Sequence, residues 1–398
     1  MRIEIVEFNN PNIEIQIKNL TAKTFVTCNT EADFLNAQLL IFSLGRANVA
    51  LPILLSRTSI RELMDLISSF DNGGSETSFF HDSETMKSEP SEDLSGTEMS
   101  SRIAILLRHW DAYALTKNCL LDLMKTSYTG KDIIILDDNS LDQSCVQLFL
   151  EFRDIHIIRS AKKLEYCATF NVLSTYARKL NADYIFVLNN DTRNFSKDIF
   201  EQLLLKFDEG NVGVVSPRVK DFDGNLIVKQ DRKWLGIHFN IATEGYLIPL
   251  ELWETIGGFN LNLIRFAEDL ELVYQMHQRG YRQVRVDEVY FEHLKHGSSS
   301  RLNFVPVFYY ARNLVWIQKL YFPNANLRVI VAKSFEKTWP LVLRRNTLNQ
   351  RRYFLRKVFF LVVGIAIGIF SRLKERESAI DARKILTSPP FKLGSRFR

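Results

Sequence analysis

The four cysteines of this chain, Cys28, Cys119, Cys145 and Cys167, are scattered, and no two form a Cys-x-x-Cys pair. That argues against a zinc ribbon or a disulfide scaffold and fits a reducing compartment. The N-terminus, Met1-Arg2-Ile3-Glu4, lacks the apolar run of a secretion signal, so no export is expected. Near the other end, Val358–Phe370 is uncharged but only thirteen residues long, short of the roughly 20 that a spanning helix needs. Charge of one sign does not dominate: the net charge is +5, with 24% charged and 46% hydrophobic residues, as in an ordinary globular protein.

The charge is unevenly placed. From Arg344 onward there are 14 Lys/Arg against three acids, Glu375, Glu377 and Asp381, which leaves the body of the chain acidic. A basic tail on an acidic body points to an anionic surface. A membrane leaflet suits it, because Arg344-Arg345 and Arg351-Arg352 lie among apolar residues just ahead of Val358–Phe370. An interfacial helix on the inner face of the cell membrane is expected, with a cytoplasmic protein body and no nucleic-acid partner. A buried core helix is the competing reading.

At 398 residues the chain exceeds what one domain usually needs. Residues 1–70 read as a small accessory α/β unit, with strand-like alternation at Met1–Phe8 and Ile13–Lys18 and helical spacing at Glu31–Leu44 and Ser59–Phe70. Residues 71–101 open on Asn72-Gly73-Gly74-Ser75 and are rich in Ser, Glu, Asp and Thr, an acidic linker. Residues 102–322 form the main domain and 323–398 a basic helical tail.

In the main domain, apolar strands alternate with helical stretches. Strands are expected at Ile103–Leu107, Ile133–Leu136, Ile155–Ile158, Tyr184–Leu188 and Val212–Val215. Helices are expected from Asp111 to about Thr126, about Leu141 to Phe152, Tyr166–Leu180 and Phe195–Phe207. This alternation predicts an α/β fold with right-handed crossovers, a mostly parallel sheet and flanking helices. Two strands end in polar clusters, Asp137-Asp138-Asn139-Ser140 and Asn189-Asn190-Asp191. Parallel strands share a direction, so both clusters fall on the carboxyl edge of the sheet, where α/β proteins bind ligands. A third acidic motif, Glu268-Asp269, opens a helix that runs to Gly280. There the helix dipole favours ionised carboxylates. Each motif taken singly also reads as an ordinary turn or helix start.

The order of these motifs over Arg102 to about Phe322 resembles the family 2 glycosyltransferases, the inverting GT-A class, and within it the rhamnosyltransferase-like enzymes of surface polysaccharide synthesis. Asp137-Asp138-Asn139-Ser140 resembles the family's nucleotide-binding turn. Asn189-Asn190-Asp191 sits where the metal-binding Asp-x-Asp belongs, with Asn189 in place of the first Asp. Gly257-Gly258-Phe259 followed by Glu268-Asp269 resembles the acceptor-side motif and catalytic base. His293 and His296 with Gly297-Ser298 resemble the late His segment, and Tyr310-Ala311-Arg312-Asn313 the Tyr-x-Arg-Asn that follows. Glu165-Tyr166 stands before Asn171 where many relatives have Gly-Phe.

The resemblance implies a GT-A Rossmann-like fold and a sugar transferred from a nucleotide-diphosphate sugar, hexosyl or rhamnosyl, to a glycan or lipid-linked acceptor. It implies a divalent metal, Mg or Mn, at Asp191, with His296 as a further ligand or phosphate donor. The nucleotide would be held by Asp137, Asp138, Ser140, Asn171 and Asn190. Asp269 is expected to be the base that deprotonates the acceptor hydroxyl, with Glu268 as its alternative. Arg312 could pair with a phosphate or make a structural ion pair. Trp234, Tyr246 and Trp253 could stack on sugar rings or fill the core. A nucleotidyltransferase, which also places carboxylates at strand ends, and a catalytically degenerate glycan- or partner-binding protein are the competing readings.

Overall fold

The computed structural model describes residues 101–374 and 379–387, apart from 143, 153–154, 161, 227–231, 235–236, 295–303 and 344–349, together with the backbone of three short strands before residue 51. Those strands, β1 (Ile3–Glu7), β2 (Lys23–Thr27) and β3 (Val49–Ala50), pair in parallel in that order. The strand expected at Ile13–Lys18, the helices expected at Glu31–Leu44 and Ser59–Phe70, all but the last residue of the acidic linker, His296 with Gly297-Ser298, and the side chains of Trp234, Arg344-Arg345 and Arg351-Arg352 lie outside the described residues.

The main domain is a mixed α/β layer structure around one curled sheet of eight strands. Four parallel strands form one half: β4 (Ile103–His109), β5 (Lys131–Asp137), β6 (Ile155–Arg159) and β7 (Tyr184–Leu188). The other half holds β8 (Thr192–Arg193), β9 (Val212–Lys220), β12 (Gly245–Pro249) and β13 (Arg282–His293). The spatial order is β6-β5-β4-β7-β12-β9-β13-β8. β12 runs antiparallel between β7 and β9, and β8 runs antiparallel on the edge, so the sheet is mostly parallel. A small hairpin, β10 (Arg232–Trp234) and β11 (Ile237–Phe239), stands apart. The sheet is Rossmann-like with flanking helices, the architecture that the resemblance implies.

Whereas β13 keeps charged residues at exposed positions, the central parallel strands β4, β5, β6 and β7 carry continuous apolar runs because helices cover both faces of the sheet there. Their alternation assigns each residue to one of two cores. Ala104, Leu106, Ile134, Leu136, Ile185 and Val187 pack on one side. Ile103, Ile105, Leu107, Ile133, Ile135, Phe186 and Leu188 pack on the other. The crossover helices are α1 (Tyr113–Met124), α2 (Ser144–Glu151), α3 (Glu165–Lys179) and α4 (Ile199–Leu204). The long helix expected over Phe195–Phe207 is instead α4 followed by a 3-10 turn, Leu205–Glu209. Downstream lie α5 (Leu250–Ile256) and α6 (Glu268–Gln278).

Three long helices follow: α7 (Val305–Tyr321), α8 (Leu327–Leu343) and α9 (Gln350–Phe370), then a short α10 (Ala382–Thr387). The apolar segment expected to be only thirteen residues long is part of a helix of 21, and Tyr353–Phe370 is long and apolar enough by length and composition to cross a membrane. One side of α9 is docked on α7. Gly364 and Gly368, one turn apart, let the backbones approach: a Cβ at Gly364 would lie 2.6 Å from the Phe308 carbonyl, and one at Gly368 2.7 Å from Val315 Cβ. Lys319 of α7 caps the end of α9, donating to the carbonyls of Gly368 at 3.1 Å and Ile369 at 2.6 Å. Away from that seam, Leu355, Phe359, Val362 and Phe370 are exposed.

Candidate active site

Three parallel strands deliver their carboxyl ends to one edge. β4 ends at His109, paired in register with Asp137 at the end of β5, while β7 on the other side of β4 leads into Asn189-Asn190-Asp191. The two polar turns expected to share an edge do so.

The first turn is closed upon itself. Asp138 is fully buried. Its Oδ2 accepts from Arg108 Nε at 2.9 Å and Nη2 at 2.5 Å, and from the Glu165 amide at 3.2 Å. Its Oδ1 accepts from the Leu164 amide at 2.5 Å. Burial pushes its pKa up, and Arg108 works against that. Asp137, also fully buried, accepts from the amide of Ser140 at 3.2 Å and from its hydroxyl, and its Oδ2 lies 3.2 Å from Arg159 Nε without hydrogen-bond alignment. Ser140 Oγ in turn accepts from the Asp111 amide at 3.0 Å. Asp137, Asp138 and Ser140 therefore shape the turn through contacts within the protein.

Glu165 explains the departure from Gly-Phe. Its φ is +67°, in the left-handed region that glycine occupies at no steric cost. Its amide bonds Asp138, and its carboxylate lies 3.3 Å from Arg265 and 3.8 Å from Arg108. Those contacts offset the backbone strain and tie the first turn to the loop before Glu268.

The second turn holds Asp191, which is buried, with Oδ1 3.1 Å from His293 Nε2 at the end of β13. The described partner of Asp191 is thus His293, while His296 lies outside the described residues. Among the described residues no three His, Cys, Asp or Glu side chains are grouped so as to hold a metal alone. One carboxylate and one imidazole nevertheless suit a divalent cation whose remaining ligands are phosphate oxygens and water. Asn190 points away from this pair, its Nδ2 donating to Thr116 Oγ1 of α1 at 2.8 Å.

The third element is the loop before α6. Ile264, Phe266 and Ala267 have φ of +68°, +67° and +64°, three non-glycine residues in a costly region within four positions. Asn313 of α7 holds them. Its Nδ2 donates to the carbonyls of Leu263 and Arg265 at 3.0 Å each and of Phe266 at 2.7 Å. Arg312 donates to Asn313 Oδ1 at 2.9 and 2.7 Å and to the Leu263 carbonyl at 3.1 Å. Arg312 is buried, and desolvation lowers its pKa to about 10. The Arg-Asn pair is a clamp on backbone carbonyls, and among the described residues Arg312 makes no ion pair with a carboxylate.

Asn171 has a comparable task. Its amide exchanges two bonds with the Phe259 backbone, 2.8 and 2.9 Å, and Gly258 is glycine because a Cβ there would lie 2.5 Å from Asn171 Oδ1. The side chain expected to bind nucleotide thus pins the Gly257-Gly258-Phe259 turn, which ends α5. Tyr246 and Trp253 are core residues, 1% and 0% exposed.

The loop delivers Glu268 and Asp269 into a cavity of about 300 Å³, whose lining includes Asn189 from the second turn, Tyr166 from α3, Arg265, Tyr310 from α7 and Lys337 from α8. Tyr166 Oη donates to Asn189 Oδ1 at 3.3 Å. Glu268 is 8% exposed, and its Oε2 has no hydrogen-bond partner among the described residues. Burial, and secondarily the charge of Asp269, raises its pKa to about 8. A buried carboxyl group raised in this way beside a second carboxylate suits the protonated member of an acidic pair. Arg265, Thr243 and Lys337 lack a motif of their own, and only their meeting at the cavity singles them out.

Residues 110–270 match the family model "Glycosyl transferase family 2". No curated protein matches the chain. Among solved structures, the chain is similar to the mannosyltransferase PcManGT from Pyrobaculum calidifontis, in complex with GDP-Man and Mn2+, at 13% identity and a TM-score of 0.48, over 85% of this chain and 99% of that one. It is also similar to S. aureus TarS 1–349 in complex with UDP-GlcNAc, at 15% identity and a TM-score of 0.45, over 66% of this chain and 81% of that one.

Proposed function

We propose that the glycosyl transferase family 2 domain spanning residues 110–270 makes this protein an inverting transferase, moving a hexosyl or rhamnosyl group from a nucleotide-diphosphate sugar to a glycan or lipid-linked acceptor in cell-surface polysaccharide synthesis. One observation carries the reading. A strained, clamped loop presents Glu268 and Asp269 into the same cavity that receives Asn189 from the carboxyl end of β7. A donor lying across that edge would have its sugar between the second turn and the acidic pair.

Asp269 accepts the proton of the acceptor hydroxyl as that oxygen attacks the anomeric carbon. Glu268, with its pKa near 8, keeps its proton at neutral pH and leaves Asp269 as the carboxylate of the pair. Attack from the side opposite the leaving diphosphate inverts the anomeric centre through an oxocarbenium-like transition state. Asn189 of the second turn and Tyr166, bonded to each other, line the cavity that they share with the acids Glu268 and Asp269. Asp191 and His293 would hold a divalent metal, Mg or Mn. Bound there, it would neutralise charge growing on the diphosphate. The nucleoside would lie against the closed first turn, with Asp137, Asp138 and Ser140 fixing the shape of that turn.

The C-terminal helices support a place on the inner membrane face. α9 gives its glycine seam to α7 and turns Leu355, Phe359 and Val362 outward, with Arg356 exposed beside them. An apolar stripe with basic neighbours is the pattern of a helix lying in an anionic interface. Because α7 and α8 also supply Tyr310 and Lys337 to the cavity, a membrane-held acceptor would approach from that side.

A thermal-shift panel of UDP, dTDP and GDP, each with and without Mn2+, tests the donor site, since a ligand of the native state raises the melting temperature. One nucleotide should raise it, and more so with Mn2+. No shift with any of them sinks the reading.

A further inference from the structure

Between the two turns lies a group that none of the expected roles uses. His109 is fully buried at the end of β4. Its Nδ1 is 2.8 Å from Thr116 Oγ1 and its Nε2 2.6 Å from Ser144 Oγ. Ser144 Oγ bonds Asp142 Oδ1 beside the first turn, and Thr116 Oγ1 accepts from Asn190 Nδ2 of the second. Five side chains thus form one chain: Asn190, Thr116, His109, Ser144, Asp142.

The donors and acceptors set its direction. The Asn190 amide nitrogen only donates, so the Thr116 hydroxyl proton is free to go to His109 Nδ1. The Asp142 carboxylate only accepts, so it takes the Ser144 proton, and the Ser144 oxygen must accept from His109 Nε2. A neutral imidazole protonated on Nε2 satisfies every member. An imidazolium would place a proton on Nδ1, where the Thr116 hydroxyl already donates. Burial, which lowers the pKa of His109 to about 4, keeps the ring neutral.

We propose that His109 is a positioning residue, whose two ring nitrogens hold the nucleotide-side turn at 137–142 and the metal-side turn at 189–191 at one fixed span. The proposal rests on the donor-site reading above. A nucleoside diphosphate with its cation must reach both turns at once, and a preset span saves the ordering cost of that double engagement. The cation should therefore tighten nucleotide binding only while the tie is intact.

Two variants test this. Thr116→Val is nearly isosteric and cuts the chain between His109 and Asn190. By calorimetric titration with UDP, dTDP and GDP, it should keep the metal-free affinity of the wild type and lose about five- to tenfold of the Mn2+-dependent tightening, the size of one buried hydrogen bond. Unchanged tightening overturns the proposal. His109→Leu removes both bonds while keeping an apolar side chain in place, and is read by amide hydrogen exchange without ligand. Faster exchange in both 140–144 and 189–192 is expected, and exchange confined to the neighbourhood of residue 109 overturns the tie. If no nucleotide binds the wild type while both turns still loosen, the donor-site reading fails and the mechanical link stands.

Discussion

Asn313, on a helix outside the matched family segment, donates a 2.7 Å hydrogen bond to the carbonyl of Phe266, two residues before Glu268. The acidic pair is therefore aimed by a side chain some 45 positions downstream. Replacing Asn313 by Ala frees three backbone carbonyls and one partner of Arg312. A stability loss of about 2 kcal/mol is expected from the unmade bonds. A fall in turnover of about 10²-fold is expected from the misplaced acids. Thermal melts and steady-state rates check both. Full activity in a stable Asn313→Ala protein would show that the loop holds its strained shape unaided.

Asp269→Asn should lower turnover by about 10²- to 10⁴-fold and leave nucleotide binding intact. A binding module without activity would have no turnover to lose, and a nucleotidyltransferase would not depend on this carboxylate for sugar transfer. Product analysis of the wild type and the variant separates the three.

Glu268 gives a pH signature. Its folded pKa, about 8, lies above its ordinary 4.5. Its contribution to stability is fully present below pH 4.5 and is lost as pH rises through 8. Glu268→Gln should therefore gain stability relative to wild type across that window, by at most about 1.4 kcal/mol per pH unit. Denaturant melts at pH 5 and pH 8.5 measure the difference, and a constant difference contradicts the assignment.

His109 acts in the opposite sense. Its folded pKa, about 4, lies below 6.5, with burial outweighing the nearby Asp142 and Asp111 while Arg108 and Arg159 add to the lowering. The stability from keeping it neutral is present above pH 6.5 and is lost as pH falls toward 4. His109→Gln should flatten that acid limb of the stability profile. An unchanged limb would assign the acid sensitivity to other groups.

On α9, Leu355→Glu with Phe359→Glu changes two exposed side chains, 60% and 58% accessible, so folding should be unaffected. Co-sedimentation with vesicles containing anionic lipid should drop sharply against the wild type, with little binding of either to neutral vesicles at moderate salt. Equal sedimentation of both proteins with anionic vesicles would remove α9 from the interface.

The alternation of apolar strands and helices was legible because strands covered on both faces must be apolar at every position, as Ile103–Leu107 and Ile185–Leu188 are. Parallel strands share a direction, so the sequence also determined that the Asp137 and Asp191 turns lie on one edge. It could not say which polar atoms face a ligand. Asp, Asn and Ser are used alike to bind a substrate and to satisfy buried backbone, and the choice is made by partners far away in the chain. Asp138 is consumed by Arg108 and by amides 26 and 27 residues on, Asn171 by a backbone 88 residues on, and Asn313 by carbonyls 47 to 50 residues back. Likewise the thirteen-residue tail segment extends into a longer helix, and the close fit of Gly364 and Gly368 on α7 decided which side of it is buried. Residue type and periodicity are local and visible in the sequence. Which of two chemically equal polar groups keeps a free lone pair is settled only by long-range packing.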